Sequence, residues 1–381
     1  MKLIYLANIR LPTEKAHGIQ IMKMCEAFAN TQDMEVELVI PQRLNPIKEN
    51  PFVYYGVREN FTITKIPTLD LVSYGKIGFF LQVLSFSFFA LFYTLFSGKA
   101  HVIYSRDELP LYILSFFKKN IFWETHAKKD NFFAVRVLHS ARGIISVTQG
   151  LKDFYVTKGV NKEKILVASD GVDIRQFDTK KNNTESREGF GLPKDKKIIG
   201  YVGKYKTMGE PKGVDDLITS FTQVLVSALD AFLLLVGINE NEVTEVKKVF
   251  QRAGVGEEHY KIVAHLPQQE AFMYMKASDV LVMNYPNTPH YAHYMSPLKL
   301  FEYMASGVPI ITTDLPSVRE ILNESNALIV KNENVDGLSK GLCFLLENAE
   351  FSAKIAEQAH RDVQNYTWKK RAAAISLFMG I

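Results

Sequence analysis

Ser296-Pro297-Leu298-Lys299-Leu300-Phe301-Glu302-Tyr303-Met304-Ala305-Ser306-Gly307-Val308-Pro309-Ile310-Ile311-Thr312-Thr313-Asp314 decides how the chain is read. Ser296 suits an N-cap, Pro297 the first helical position, and Gly307 the left-handed residue that ends a helix, so the spacing predicts a helix from Pro297 to Ser306. Leu298, Phe301 and Ala305 recur on one face, and Val308 to Thr312 reads as a buried strand.

The first amides of such a helix lack internal partners and lie at the positive end of its dipole, an arrangement that receives phosphate. Lys299 adds a formal charge in the first turn. Glu302 falls about 7 Å below the tip at helical rise, where a carboxylate can accept from the two vicinal hydroxyls of a ribose. The competing reading is an exposed Lys299–Glu302 pair at i, i+3, worth only tenths of a kcal/mol.

The chain has 381 residues, enough for two domains. Lys and Arg number 45 against 41 Asp and Glu, a net charge of +4. No basic run of nucleic-acid type occurs, and the mild excess suits an anionic substrate or membrane surface. Cys25 and Cys343 form no paired metal spacing, which suits a reducing compartment. The apolar run after Met1 is interrupted at Asn8 and Arg10, too early for a signal peptide, and is read as the first buried strand.

Strand Leu3 to Ala7, a polar loop and a helix bearing Ile19, Met22 and Cys25 open a doubly wound α/β domain, whose ligands bind beyond the carboxyl ends of the strands. Gly18 at the helix entrance is a candidate for close backbone approach by a ligand. Three further strands end in polar loops that carry Arg106, then Glu124 and His126, then Gln149. Arg106, Glu124 and His126 are thus candidates for acceptor binding or proton handling; a surface histidine without a role is the bland alternative. The polar stretch from Asp178 to Lys197 marks a domain boundary. A second α/β unit follows from Lys197. Its first strand runs into Gly203-Lys204 and a loop reaching Lys212-Gly213, two lysines placed to meet the same anion as the Pro297 helix tip.

Ile77 to Ser97 is the most apolar stretch, with seven phenylalanines among its 21 residues. Three readings are open: a crossover helix packed on the sheet, a helix lying partly in a membrane interface, and a span. Gln82, Ser85, Ser87 and Thr94 interrupt it, Lys76 and Lys99 flank both ends alike, and a strand follows at once, all of which favour the crossover.

These features together resemble the retaining GT-B glycosyltransferases of family 4. The resemblance rests on the Gly18 loop, Asp170-Gly171-Val172-Asp173 with Phe177, Gly203-Lys204 with Lys212-Gly213, Leu315-Pro316-Ser317-Val318-Arg319-Glu320, Tyr366-Thr367-Trp368 with Arg371-Ala372, and above all the Ser296–Asp314 stretch. It implies two Rossmann-like doubly wound domains facing a central cleft: residues 1–177 for the acceptor, residues 178–362 for the sugar nucleotide, and residues 363–381 as a helix crossing back. It implies transfer of a sugar from a UDP- or GDP-sugar to a glycan or lipid-linked acceptor, with retention and without a metal or other cofactor, in the cytoplasm or on the inner face of its membrane. Gly18, Lys204, Lys212, Tyr294, Ser296, Pro297, Leu298, Lys299 and Glu302 would hold the donor, and His126 would stand near the reacting carbon. The family's first glutamate is replaced by Tyr294, which offers one hydroxyl where a carboxylate is usual. A sugar-nucleotide epimerase of the same fold and a non-catalytic sugar-nucleotide-binding partner are the alternatives.

Overall fold

The strands of the first unit are runs of branched and aromatic residues buried on both faces, as a parallel sheet covered by helices requires. In a computed structural model of the chain, residues 1–32, 34–96, 100–177, 183–207, 209–228 and 230–381 are described. Ser97 and Lys99 of the apolar segment, and residues 178–182 at the expected domain boundary, lie outside them.

Among the described residues the first sheet has strands β1 (Lys2–Leu6), β2 (Glu35–Pro41), β3 (Thr62–Ile66), β4 (Val102–Ser105), β5 (Ile121–Thr125), β6 (Gly143–Ser146) and β7 (Ile165–Val167). All are parallel, in the order β3-β2-β1-β4-β5-β6-β7. The order reverses between β1 and β4, so the loops after these strands and after β5 converge at one end, the switch point where such sheets take ligands.

The second sheet has β8 (Lys197–Val202), then a two-stranded ribbon of β9 (Lys206–Thr207) and β10 (Glu210–Pro211), then β11 (Ala231–Ile238), β12 (Tyr260–Ala264), β13 (Val280–Met283), β14 (Ile310–Thr313) and β15 (Leu328–Val330). Outside the ribbon the order is β12-β11-β8-β13-β14-β15, again parallel, with its reversal between β8 and β13. Both sheets are therefore Rossmann-like and doubly wound, as the sequence reading expected.

Two compact units result: Met1–Asp170 with Trp368–Ile381, and Gly171–Thr367. The division falls at Gly171 rather than Asp178, because Val172 pairs with Thr367 and Phe177 packs on Phe272 with ring centroids 4.2 Å apart in the second core. The return starts at Trp368 rather than at residue 363, since Val363 is wholly buried in that same core. Helix Trp368–Met379 then packs on helix Ala16–Ala29 and on β6.

Helix Gly75–Phe96 connects β3 to β4 of the same sheet, so it is a crossover rather than a span, although its length and composition would allow one. Its buried side is mixed, with Phe86, Ala90 and Leu91 lying beside polar groups. Gln82, Ser87 and Thr94 are buried, and Gln82 exchanges amide hydrogen bonds with Asn8, whereas Phe79, Phe80 and Phe88 are each about half exposed. The polar interruptions that argued for burial of the segment are thus the groups facing the protein, and much of the phenylalanine surface faces outward.

Candidate functional site

In the second unit the helix of the Ser296–Asp314 stretch runs Leu298–Ser306, with Pro297 as its N-cap in an extended conformation (φ −79°, ψ 133°). Ser296 is therefore not the cap and Pro297 is not inside the helix. A proline cap brings no side-chain acceptor, so the amides of Leu298 and Lys299 keep their capacity for an external anion, while that of Leu300 donates to the Pro297 carbonyl at 3.0 Å. Gly307 ends the helix at φ +73°, as expected.

Lys299 is only 8% exposed, which removes the reading of an exposed pair with Glu302. Its Nζ lies 4.1 Å from the Tyr201 ring centre and 4.7 Å from that of Tyr285, and no hydrogen-bond acceptor meets it among the described residues. It reaches the end of β8: a Cβ at Gly203 would stand 3.5 Å from it. Burial, with Lys212 adding repulsion, pushes the Lys299 amine well below its ordinary pKa. Lys212 itself is lowered to about 8 by burial and then by Lys204. Its loop is pinned by Gly213, whose carbonyl accepts from Asn284 Nδ2 at 3.0 Å. Gly213 has φ +79°, and a Cβ there would collide with the Asn284 carbonyl oxygen, so only glycine fits.

Glu302, one turn further down the helix, accepts from Gln268 Nε2 at 2.6 Å. Burial raises its carboxyl to about 7, against the opposing pull of Gln268. Tyr303 exchanges hydrogen bonds with the backbone of Val202 (2.8 and 3.2 Å), which locks this helix to β8. Tyr294 is the residue that ends the short helix Pro289–His293 and is partly exposed. The structure thus gathers Lys204, Lys212, Lys299 and Glu302 at the switch point of the second sheet.

The first unit holds a different cluster at its own switch point. Glu124 on β5 is wholly buried, and its oxygens take Gln20 Nε2 (2.6 Å), the Tyr104 hydroxyl, His126 Nε2 and both terminal nitrogens of Arg371 (3.3 and 3.2 Å). Gln20 in turn accepts from Arg106 Nη1 at 2.7 Å. Burial alone would raise the Glu124 carboxyl, but Arg371 and then His126 outweigh it and hold it at about 2. His126 is the partly exposed member; burial and then Arg106 lower its pKa, and its Nδ1 stands 3.8 Å from Asp170 Oδ2.

Glu124, His126 and Asp170 offer donor atoms within 4.8 Å of one another. Arg371 already joins Glu124 through both oxygens and lies 3.9 Å from Asp170, so this donor set is fitted to a guanidinium rather than a metal ion. Packing by itself requires glycine at Gly18. It lies inside helix Ala16–Ala29, where a Cβ would strike the Tyr55 hydroxyl and Thr13.

The sequence reading brought out Arg106, Glu124 and His126 but not Gln20 as a partner, nor Arg371 as a member of the cluster. Gln20 sits on the apolar side of its helix, where nothing in the pattern marks a polar role. Arg371 carried a signal, since it lies between Trp368 and Ile375 on the buried side of its helix and a buried guanidinium demands a carboxylate.

Two parallel-stranded Rossmann-like domains define the GT-B class of fold. Residues 182–362 match the family model described as "Glycosyl transferases group 1". Among curated proteins, the phosphatidyl-myo-inositol mannosyltransferase of Mycolicibacterium smegmatis is 24% identical over 187 residues, 49% of this chain and 45% of that protein. The putative teichuronic acid biosynthesis glycosyltransferase TuaC of Bacillus subtilis is 22% identical over 269 residues, 70% of this chain and 63% of that protein. The matches thus span about half to two thirds of these relatives. Among solved structures, Anabaena HepE in complex with UDP superposes with a TM-score of 0.74 at 16% identity, covering 100% of both chains. The sucrose-phosphate synthase of Thermosynechococcus elongatus gives 0.77 at 17%, covering 99% of this chain and 98% of that one.

Proposed function

We propose that this protein transfers a sugar from a UDP- or GDP-sugar to a glycan or lipid-linked acceptor in cell-surface polysaccharide or glycolipid synthesis. The observation that carries this reading is the Lys299 ammonium, buried without a hydrogen-bond acceptor beside Lys212 at the tip of an uncapped helix. A site with cations and open amides but no acceptor for Lys299 is complementary to a diphosphate. Glu302 one turn below supports the same reading, as a carboxylate able to accept from ribose hydroxyls. The names of the relatives, a mannosyltransferase of a phosphatidylinositol and a teichuronic acid glycosyltransferase, support glycolipid and polysaccharide acceptors.

We read the transfer as retaining and independent of a metal. The lysines and the helix N-terminus stabilise the leaving diphosphate electrostatically, the part a cation plays elsewhere. His126 offers a ring nitrogen to a substrate hydroxyl in the first unit. We place the protein in the cytoplasm, peripheral on an anionic membrane: the outward phenylalanines of helix Gly75–Phe96, the exposed Phe116, Phe117 and Phe132, and nearby Lys76, Lys118, Lys119, Lys128 and Lys129 combine apolar surface with positive charge.

The test is a panel of UDP- and GDP-sugars incubated with the protein and membrane lipid extract, with and without chelator. Release of nucleoside diphosphate with label moved to lipid or glycan, unaffected by chelation, is the expected result. An isomerised sugar nucleotide would make the protein an epimerase, and binding without turnover would make it a sugar-nucleotide-binding partner.

A further inference from the structure

The C-terminal helix Trp368–Met379 sends one buried cation into the first unit. Arg371 is 6% exposed; its Nε donates to the carbonyls of Ala168 (3.3 Å) and Ser169 (3.0 Å), and its two terminal nitrogens meet the two oxygens of Glu124. Trp368, Ala372 and Ile375 are buried around it, so the guanidinium is fixed by packing as well as by hydrogen bonds. Glu124 joins residues 247 positions apart in sequence when it takes this partner.

We infer that Arg371 is a positioning residue, which through Glu124 decides which ring nitrogen of His126 carries the proton and thereby presents Nδ1 as a hydrogen-bond acceptor. An ionised carboxylate can only accept, so the nitrogen that faces Glu124 must bear hydrogen, and that nitrogen is Nε2. The lone pair then sits on Nδ1, which stands 3.8 Å from Asp170 Oδ2, beyond hydrogen-bond distance of that carboxylate. Gln20 and Tyr104, the other donors to Glu124, are neutral and cannot replace the charge. Without Arg371 the buried carboxyl takes up a proton, donates it to Nε2, and the ring hydrogen moves to Nδ1. The acceptor becomes a donor. The titratable and charged groups around the ring are Tyr5 on β1, Cys25 on helix Ala16–Ala29, Tyr104 and Arg106 on and after β4, Glu124 on β5, Asp170 after β7, and Arg371.

The use of that acceptor for a sugar hydroxyl rests on the glycosyl-transfer reading; the tautomer does not. The experiment is NMR of the protein labelled with ring-¹⁵N histidine, with His126 assigned by H126Q. The wild type and Arg371→Lys should show Nε2–H, and Arg371→Met should show Nδ1–H. A wild type with Nδ1–H, or an Arg371→Met protein that keeps Nε2–H, overturns the inference. Should Arg371→Met fail to fold, Arg371→Gln decides: its amide can donate to Glu124 without carrying the charge, and the same change is expected, with retention of Nε2–H again overturning it. In the transfer assay Arg371→Met should lose about 100-fold in rate, the scale of a misplaced acid–base group, at unchanged UDP affinity, with Arg371→Lys recovering most of it. If the wild type turns over no sugar nucleotide, the transfer reading falls while the tautomer result stands.

Discussion

The ammonium of Lys299 stands 4.1 Å above the ring of Tyr201, with no hydrogen-bond acceptor among the described residues. Held only by ring faces, its charged form is poorly compensated, since cation–π contact returns about 2 kcal/mol where several are lost on leaving water, and the pKa of the amine is lowered accordingly. The arrangement is explained if the compensating charge arrives with the substrate.

Lys299→Met should therefore leave the free protein as stable or more stable, with Tm unchanged or raised by a few degrees. The same variant should lose UDP affinity by about 2 kcal/mol while its weak affinity for uridine hardly changes, because the missing charge faces phosphate alone. Lys204→Ala and Lys212→Ala should show the same split between UDP and uridine. Calorimetric titration with both ligands checks it; equal losses for UDP and uridine would mean that the lysines act through structure.

Nucleotide affinity should be bell-shaped in pH. The Glu302 carboxyl is raised to about 7 by burial, so below that pH it is neutral and a weaker acceptor for ribose. The Lys212 amine is lowered to about 8 by burial and Lys204, so above that pH it is neutral and no longer draws phosphate. UDP affinity should be greatest between these values and fall by up to about tenfold per unit as pH rises beyond the upper one. Glu302→Gln should flatten the limb between pH 6 and 7, leaving only the share owed to the terminal phosphate, which protonates at about 6. An acid limb that survives in this variant would assign it to another group.

Two glycines of the same loop separate backbone strain from collision. Gly209 has φ +83° with open space around it, whereas Gly213 has φ +79° and faces the Asn284 carbonyl. Gly209→Ala should cost about 1 kcal/mol, the conformational penalty alone. Gly213→Ala should cost at least about 3 kcal/mol or displace the loop that bears Lys212. Urea denaturation gives the stability, and UDP binding reports the loop; equal costs at the two sites would contradict the structure.

The fold was legible because each element carried its own punctuation. Buried runs such as Ile198 to Val202 alternate with helices ended by residues such as Gly307, and this repeats through both halves. The donor side was legible for the same reason, since Lys204, Lys212, Lys299 and Glu302 all lie near turns or in the first turns of a helix. The cap at Pro297 was misread because residue preference does not distinguish the last extended residue from the first helical one. The cluster around Glu124 was only half legible, since Gln20 and Arg371 reach it through tertiary packing from elements far apart in sequence. Helix Gly75–Phe96 was read by composition, and composition cannot say which side of a helix turns toward the sheet.

That side yields the last prediction. The buried face of helix Gly75–Phe96 carries Gln82, Ser87 and Thr94, and the helix packs against helix Glu108–Leu114, beyond which Phe116, Phe117 and Phe132 are exposed. Water is a poor solvent for so much aromatic surface. Phe80→Ser combined with Phe88→Ser, at two half-exposed positions, should leave the fold and UDP affinity unchanged, because neither ring is in the core. Wild-type protein should co-sediment with anionic vesicles more than with neutral ones, and salt should weaken this, as each lysine near such a surface contributes about 1 kcal/mol that is screened within a Debye length. The double variant should lose most of the binding that persists at high salt, the share owed to apolar insertion, while Lys118→Ala with Lys119→Ala should lose the salt-sensitive share. Protein that ignores anionic vesicles even at low salt would show that the face meets no membrane, and protein that neither salt nor high pH extracts from membranes would contradict the crossover position of the helix in its sheet.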